Sequence, residues 1–224
     1  MNLKEVLSLQ KARENTYKLL STLFYLPEED LFESQVLDNL ITSTEVIFDD
    51  LREYAVSLQD EGKKISNIED LKVDYSKLFV GPFDLFAPPY GSIYLEKERK
   101  VMGDSTINVL NKYKQAGLKV ADDFKDAPDH IIMELEFMYF LTFNQIEAIN
   151  SSDFSSTLHY LEMQRDFLGN HLRVWISEFT DRILNNTNTE FYKILAKLTE
   201  NFIINDYEQF IDRITDEVDL LKNN

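Results

Sequence analysis

The sequence contains no cysteine, which excludes a disulfide framework, a thiolate metal site, an iron–sulfur cluster and a cysteine nucleophile. Its three histidines, His130, His159 and His171, include no pair with the four-residue spacing of a zincin. None of them stands three residues after a glutamate, as the ligands of a dinuclear iron bundle would. We therefore expect no metal cofactor.

Helix breakers are also scarce, with six glycines and five prolines in 224 residues. No glycines have the spacing of a phosphate-binding loop or of a GxGxxG turn, and Ser92 lacks the GxSxG setting of a hydrolase. Apolar residues instead recur at helical spacing along most of the chain, as at Leu37, Leu40 and Ile41. The pattern predicts an all-α fold in which residues 1–224 form a single domain, a bundle of about ten helices. Near the middle of the chain it predicts a loop rich in proline and aromatic residues, 81–94, which we call the Pro/aromatic loop.

The predicted helices are 3–25, 29–40, 43–61, 67–80, 104–116, 128–149, 153–169, 171–184, 188–204 and 206–222. Thr42 and Ser66 each precede a glutamate by three residues, the spacing of a capping box, and so predict helix starts. Gly81, Gly117 and Gly169 follow periodic runs, where a left-handed glycine commonly ends a helix. The segments 81–103 and 119–127 are the two main breaks in this pattern.

Basic residues are few: Lys plus Arg number 23 against 40 Asp plus Glu, which gives a formal net charge of −17. Nucleic acid and anionic membrane surfaces would repel such a chain, so we expect no nucleic-acid partner and favour a basic one. The longest apolar-rich run, around 137–146, is about half of the roughly 20 residues that span a bilayer. Charges scattered through residues 1–20 are unlike a secretory signal. We predict a cytoplasmic protein without stable membrane insertion.

Aromatic residues concentrate in one segment: six of the twenty residues in 75–94 are aromatic, against 12% of the whole chain, and three of the five prolines lie among them. We expect Leu78, Phe79 and Leu85 to be buried in the core. The later residues of the segment are expected to form a rigid, partly exposed lining for an apolar or extended peptide ligand, and these are Pro88, Pro89, Tyr90 and Tyr94. Together with the acidic charge, this lining favours a ligand that is apolar in one part and cationic in another.

Pro128 predicts the start of a central helix, because proline at the first helical position loses no hydrogen bond. The residues 131–143 are apolar on nearly every side, which is typical of a helix inside a bundle. Asp129 and His130 are therefore expected to lie at the N-terminal end of this helix, at the edge of the core.

Four blocks occur in order along the chain: YSKLFVGPFDLFAPPYGSIYL, VMGDSTINVL, APDHIIMELEFM and FLGNHLRVW. In this order they resemble the TorD/DmsD family of redox-enzyme maturation chaperones, relatives of the nitrate reductase delta-subunit (NarJ-like) type. The resemblance covers about Tyr75 to Trp175, and EFYKILAKLTENFI continues it. The first 70 residues match only as helices of similar length.

The resemblance implies an all-helical cytoplasmic chaperone that binds the twin-arginine signal peptide and the apo-form of a molybdenum-cofactor oxidoreductase. Export would thereby be delayed until the cofactor is inserted. The implied signal-peptide-binding residues are Leu78, Phe79, Gly81, Pro82, Pro89, Tyr90, Ser92, Tyr94, Asp129 and His130. Close relatives often have Trp in place of Tyr90 and Tyr94, so we expect a different leader preference, because Tyr buries less area and adds a hydroxyl.

Two roles stay open for each residue of the Asp-His pair. Asp129 either receives a leader guanidinium, which contributes about 1.5–3 kcal/mol, or serves as a helix N-terminal acid, which contributes about 0.3–1 kcal/mol. His130 either donates to a leader carbonyl or holds the loop above Pro89.

The leading expectation is a binding protein without catalytic turnover. A client of the dimethyl sulfoxide or trimethylamine N-oxide reductase type is favoured over the role of a nitrate reductase delta-subunit-type assembly factor. Since family members have been linked to GTP, the resemblance also offers weak guanine nucleotide binding or hydrolysis as an alternative function, although the sequence has no phosphate-binding loop. A helical adaptor for another protein is the third alternative. The chain is expected to be a monomer or a domain-swapped dimer.

Overall fold

A computed structural model describes residues 1–32, 35–81, 85–96, 101–119 and 126–222. Within these ranges the regular structure is helical, apart from one antiparallel bridge between Tyr90 and His130. The helices are α1 (Leu3–Leu23), α2 (Val36–Ile47), α3 (Asp49–Lys64), α4 (Ile68–Tyr75), α5 (Gly91–Leu95), α6 (Asp104–Gln115), α7 (Ile131–Asn150), α8 (Phe154–Phe167), α9 (Arg173–Asn186), α10 (Glu190–Asn205) and α11 (Ile211–Lys222). The predicted all-α class is confirmed.

The apolar helix predicted to be central is α7. Its Leu135, Met138 and Leu141 are fully buried, and it packs against both α1 and α8. Burying a side chain of this size contributes about 1.5–3 kcal/mol relative to leaving it exposed. Burial in the core therefore sets the position of α7, and it also sets the position of the residues just before the first turn of α7.

Both predicted capping boxes are wrong. Thr42 lies inside α2, where its hydroxyl donates to the Asp38 carbonyl at 3.0 Å. The cap of α4 is Asn67, whose side chain accepts from the Glu69 N–H at 3.1 Å, rather than Ser66. Spacing alone does not separate a hydroxyl that caps a helix from one that bonds back into it.

Two of the three predicted helix-ending glycines are confirmed, with φ of 69° at Gly81 and 78° at Gly117. Pro128 does not open α7, however. It lies in a turn before His130, which is the N-cap, and the helix begins at Ile131. This shift leaves residues 127–130 in a non-helical form that pairs with the Pro/aromatic loop. The loop itself contains α5, a short helix that the sequence did not predict.

Three helices continue through a wide, π-type turn, at 76–80, 168–172 and 206–210. Gly169 lies inside the second of these turns and does not end a helix, contrary to the prediction. A Cβ at Gly169 would lie 2.6 Å from Cε2 of Tyr207 in the third turn. Glycine therefore lets the two turns pack directly together, and the Arg173 guanidinium covers the Tyr207 ring at 4.3 Å from its centroid.

A buried ion pair joins α1 to the turn after α10. Arg13 donates from Nε to Oδ1 of Asp206 at 2.5 Å and from Nη2 to Oδ2 at 2.8 Å, and both side chains are fully buried. The Tyr17 hydroxyl donates to the same carboxylate, and Gln164 accepts a further hydrogen bond from Arg13. These additional bonds satisfy groups that burial would otherwise leave without partners.

Candidate functional site

Backbone hydrogen bonds fasten the first part of the Pro/aromatic loop to the wide turn before it. The Gly81 N–H donates to the Ser76 carbonyl at 2.7 Å, and the Ala87 N–H returns to the Leu78 carbonyl at 2.9 Å. Leu78 and Phe79 are buried, as predicted, and Ala87 is fully buried. Leu85, also predicted to be buried, is only half-buried. The loop therefore folds back over the end of the helix from which it comes.

The second part of the loop pairs with the residues that precede α7. The Gly91 N–H donates to the Asp129 carbonyl at 2.9 Å, and the Ile131 N–H donates to the Pro89 carbonyl at 2.8 Å. Proline has no N–H, so the Pro89 carbonyl is its one backbone group available for pairing. The first and third of the four sequence blocks, which contain PPYGS and PDH, are thus joined directly.

Asp129 is fully buried, and both of its carboxylate oxygens have donors. Oδ2 accepts from the Ser92 N–H at 2.7 Å, and Oδ1 accepts from the Thr106 hydroxyl at 3.0 Å. Since Ser92 belongs to α5 and Thr106 to α6, the carboxylate connects these helices to the start of α7. Because the carboxylate has no solvent exposure, a guanidinium could reach Asp129 only after the surrounding residues moved.

His130 is the N-cap of α7, because its Nδ1 accepts from the Ile132 N–H at 3.2 Å. Burial lowers the pKa of His130, against the opposing charges of Asp126 and Asp129. The ring therefore favours the neutral form that the cap requires. Its centroid lies 5.2 Å from that of the Tyr90 ring in an edge-to-face contact. This arrangement corresponds to the loop-holding role that the sequence left open.

A buried polar group lies beneath the start of α5. Glu134 Oε1 lies 2.6 Å from Nε2 of His171, and Oε2 accepts from the Trp175 indole N–H at 3.1 Å. Burial raises the pKa of Glu134, and it lowers that of His171. The charge of Glu134 and its hydrogen bond act on His171 in the opposite direction to burial and are together the stronger effect, so the pKa of His171 lies above the usual value. A Cβ at Gly91 would lie within 3.2 Å of all three side chains, which explains the glycine.

The Tyr94 ring is held by its neighbours. It stacks on Trp175 with ring centroids 5.5 Å apart and an interplanar angle of 15°, and the Arg182 guanidinium lies 5.0 Å from its centroid. Its hydroxyl donates to the Pro88 carbonyl at 2.7 Å. Tyr94 is half-buried, so only part of its ring lines the surface.

More accessible groups surround Tyr90 and Phe86. The Tyr90 hydroxyl donates to the exposed carboxylate of Asp126 at 2.6 Å; burial raises the pKa of Tyr90, and this hydrogen bond raises it further. Phe86 is 44% exposed, with the Lys77 ammonium 5.1 Å from its ring centroid. These side chains give the loop an outer surface that is both aromatic and charged.

Nine of the ten predicted site residues lie in this one region, and Pro82 lies outside the described residues. The prediction of an exposed lining is wrong for Pro88 and Pro89, because their carbonyls accept bonds from Tyr94 and Ile131 that hold this segment inward. Sequence reasoning did not single out Thr106 within the GDST block. It also assigned no binding role to Lys77, although Lys77 lies in the first of the four blocks, or to Asp126 and Arg182, which lie outside all four.

Within the described ranges, His, Asp and Glu side chains form no cluster of three that would hold a metal ion. In the same part of the chain we find no helix with the length and apolar character needed to cross a bilayer.

Comparison with known proteins places the chain in a family. The family model of the nitrate reductase delta subunit matches residues 38–181, more than half of the chain. A Haemophilus influenzae protein assigned as the Tat proofreading chaperone DmsD is 25% identical over 187 residues, which cover 81% of this chain and 83% of the relative. The chaperone protein TorD of Shewanella loihica is 26% identical over 213 residues, which cover 88% and 92%.

The fold agrees with a solved structure. The crystal structure of an Archaeoglobus fulgidus protein assigned as a redox enzyme maturation protein matches with a TM-score of 0.54 and 25% identity, over 85% of this chain and 93% of that one. The relatives are named as chaperones and not as enzymes, in agreement with the expected absence of catalytic turnover. The chain belongs to the nitrate reductase delta subunit family and is a redox enzyme maturation chaperone of its TorD/DmsD group.

Proposed function

We propose that this chaperone binds the twin-arginine signal peptide and the apo-form of a molybdenum-cofactor oxidoreductase in the cytoplasm, and delays export until the cofactor is inserted. The observation that carries the proposal is the direct pairing of the Pro/aromatic loop with residues 129–131, since these are the blocks that resemble the family's leader-binding surface. The relatives named as Tat proofreading and TorD chaperones support the same role.

The charge of the chain suits a basic leader. A net charge of −17 steers cations toward the surface before any contact forms. The exposed Asp126 carboxylate, beside Tyr90, offers a guanidinium a partner without displacing a buried donor. Asp129 has no solvent exposure, so a guanidinium would reach it only after the residues around it moved. We therefore assign the first contact of a leader arginine to Asp126.

The ten predicted residues divide by exposure. Tyr90, Tyr94 and Gly81 are half-buried and are assigned to contact with the leader, whereas Pro82 stays a prediction. The buried members are assigned to positioning the loop, and these are Leu78, Phe79, Pro89, Ser92, Asp129 and His130. For Asp129, this assignment favours a structural role over direct capture of a guanidinium.

The client that we propose is a reductase of the dimethyl sulfoxide or trimethylamine N-oxide type. The support is the PPYGSIYL and GDST blocks, together with relatives named DmsD and TorD. A nitrate reductase client is the alternative within the same family.

Affinity purification from the native cytoplasm tests the proposal. The tagged chaperone should retain a molybdoenzyme precursor whose twin-arginine leader is intact by mass spectrometry. Asp126→Asn should retain less of it, whereas Asp60→Asn, a matched change of an exposed acid on α3, should retain the wild-type amount. Recovery of no such precursor under conditions where the reductase is expressed would overturn the proposal.

A further inference from the structure

Two aromatic rings of the Pro/aromatic loop carry cations that come from the chain itself. The Arg182 guanidinium lies over the Tyr94 ring, 5.0 Å from its centroid, and the Lys77 ammonium lies over the Phe86 ring at 5.1 Å. A cation in this position is attracted by the negative face of the ring. Phe86 is exposed and Tyr94 is half-buried, so both rings are within reach of a ligand. The loop that we propose to receive two leader arginines therefore already holds two cations.

Both cations lie near the C-terminal end of α9. The Lys77 ammonium donates to the Asn186 carbonyl at 2.8 Å, and the Asn186 side-chain amide donates to the Arg182 carbonyl at 2.8 Å. The carbonyls at this end of a helix carry partial negative charge, which favours cations. The end of α9 and the loop beside it therefore attract positive charge in two ways, through the helix end and through the ring faces.

A carboxylate completes the surroundings of Arg182. Glu178, one turn earlier on α9, accepts from Nη2 of Arg182 at 3.0 Å. A planar guanidinium can stack on a ring and donate to a carboxylate, a combination that suits arginine better than lysine. The Arg182 side chain is only 24% exposed, whereas that of Glu178 is 47% exposed and can be reached from solvent. Tyr94 and Glu178 thus form a guanidinium site, and Arg182 occupies it.

The same three groups meet at the other end of α9, away from the loop. The Arg173 guanidinium lies 4.3 Å from the centroid of the Tyr207 ring, and its Nη1 lies 3.5 Å from Oε1 of Glu208. Arg173 comes nine residues before Arg182, which is about 14 Å along the helix. Its ring and carboxylate both belong to the packed turn 206–210 and not to the Pro/aromatic loop. Arg173 is therefore a matched control for Arg182.

We propose that Tyr94 and Glu178 form the site for one arginine of the leader, and that Arg182 fills this site until the leader displaces it. The inference rests on the proposed function and adds to it a guanidinium site with an internal competitor. Asp126 receives the first arginine, as assigned above, and the Tyr94–Glu178 site receives the other. Only molecules in which Arg182 has moved are ready for the second arginine, so the apparent leader affinity is lowered by the fraction of such molecules.

Removing the internal guanidinium tests the proposal. The probe is a synthetic leader of the trimethylamine N-oxide or dimethyl sulfoxide reductase type with its arginine pair. In calorimetry, Arg182→Gln should bind this leader about three- to tenfold more tightly than the wild type, because no internal cation–ring contact has to be broken. Arg173→Gln makes the same change in net charge and should bind the leader as the wild type does.

Two further leaders, each with Gln in place of one arginine, show whether the vacated site is responsible. The leader that lacks the arginine for this site should bind Arg182→Gln and the wild type equally, and the other should keep the gain. A gain that persists with both leaders, or that Arg173→Gln shares, would overturn the assignment, because net charge would then explain it.

Equal or weaker binding of the complete leader by Arg182→Gln would also overturn the assignment, while leaving the proposed function standing. If the wild type bound neither the complete leader nor any precursor, the proposed function and this inference would both fail.

Nuclear magnetic resonance tests the displacement in the wild type, and so holds even if Arg182→Gln fails to fold. The side-chain N–H protons of Arg182 and Arg173 should both be shifted by the rings over which they lie. Adding the leader should move the Arg182 signal to the position of an exposed arginine and leave the Arg173 signal unchanged. An Arg182 signal that stays in place while the leader binds would show that the leader does not enter this site.

Discussion

Replacing Asp129 distinguishes a structural carboxylate from one that binds ligand. Its oxygens accept one backbone N–H and one hydroxyl at a site with no solvent exposure. A hydrogen bond to a charged group contributes about 1.5–3 kcal/mol. Asp129→Ala leaves both donors without a partner, so it should lower the free energy of unfolding by about 3–6 kcal/mol.

Asp129→Asn should lower the free energy of unfolding by less than Asp129→Ala does. Its carbonyl oxygen still accepts from the Ser92 N–H, and its amide donates to Thr106 once that hydroxyl turns to act as acceptor. The lost part is the contribution of the charge, about half of the total, so we expect a loss of about 1.5–3 kcal/mol. For a chain of this length, that corresponds to a fall in Tm of about 3–12 °C.

Urea unfolding and thermal melts measure these losses, and calorimetry well below Tm measures leader affinity. Thr106→Val is the matched control, because it removes one donor at a residue that is 1% exposed. Combined with Asp129→Ala, its loss should not add, since the two residues share one hydrogen bond. The reasoning is refuted if Asp129→Asn melts with the wild type and yet loses tenfold or more of its leader affinity, because the carboxylate would then contact the leader.

Three further changes test other parts of the structure. Gly91→Ala places a Cβ 3.0 Å from the indole nitrogen of Trp175, so urea unfolding should show a fall of about 1–3 kcal/mol in the free energy of unfolding. Unchanged stability would mean that α5 moves aside without an energetic cost. Arg13→Ala leaves Asp206 buried without its cation, at a cost of about 3–5 kcal/mol, whereas Arg13→Met combined with Asp206→Leu should recover most of that loss; equal melting of the single and double variants would contradict this. The two buried histidines should act in opposite directions in melts across pH 5.5–7.5. The folded-state pKa of His130 is lowered, so unfolding takes up a proton and the free energy of unfolding falls as the pH drops below about 6.5; His130→Asn should reduce that fall. The folded-state pKa of His171 is raised, so its stabilising contribution is present below about pH 6.5 and is lost as the pH rises through the folded-state pKa. His171→Gln should therefore be more destabilising in acid than in alkali. The same pH slope in wild type and both variants would contradict the assigned shifts.

Much of the fold was predictable because helical periodicity records which side of each segment faces the core. The central position of α7 followed from its apolar residues on every side. The wide turns were not predictable, since Gly169 has the local pattern of a helix end. The ring of Tyr207, which is distant in sequence, packs against Gly169, and a single sequence does not show that contact.

The predicted site residues that the structure describes lie close together, but several of those predicted to be exposed are buried, and their role in binding stays a prediction. The order of the blocks indicated that Pro89, Tyr90, Asp129 and His130 belong together. Their burial depends on hydrogen bonds between residues about forty positions apart, such as Ile131 with Pro89 and Ser92 with Asp129. A single sequence carries no record of such pairs, so it did not show that the Asp129 carboxylate is already occupied.

The Arg13–Asp206 pair also bears on how this chaperone is made. The two residues are 193 positions apart. While the ribosome is still adding residues, the guanidinium on the first helix has no carboxylate to bury against, so α1 cannot take its final place until residue 206 has emerged. Contacts of such long sequence separation form late and slowly. A chaperone that serves the maturation of another protein therefore depends on almost its own full synthesis before it can fold.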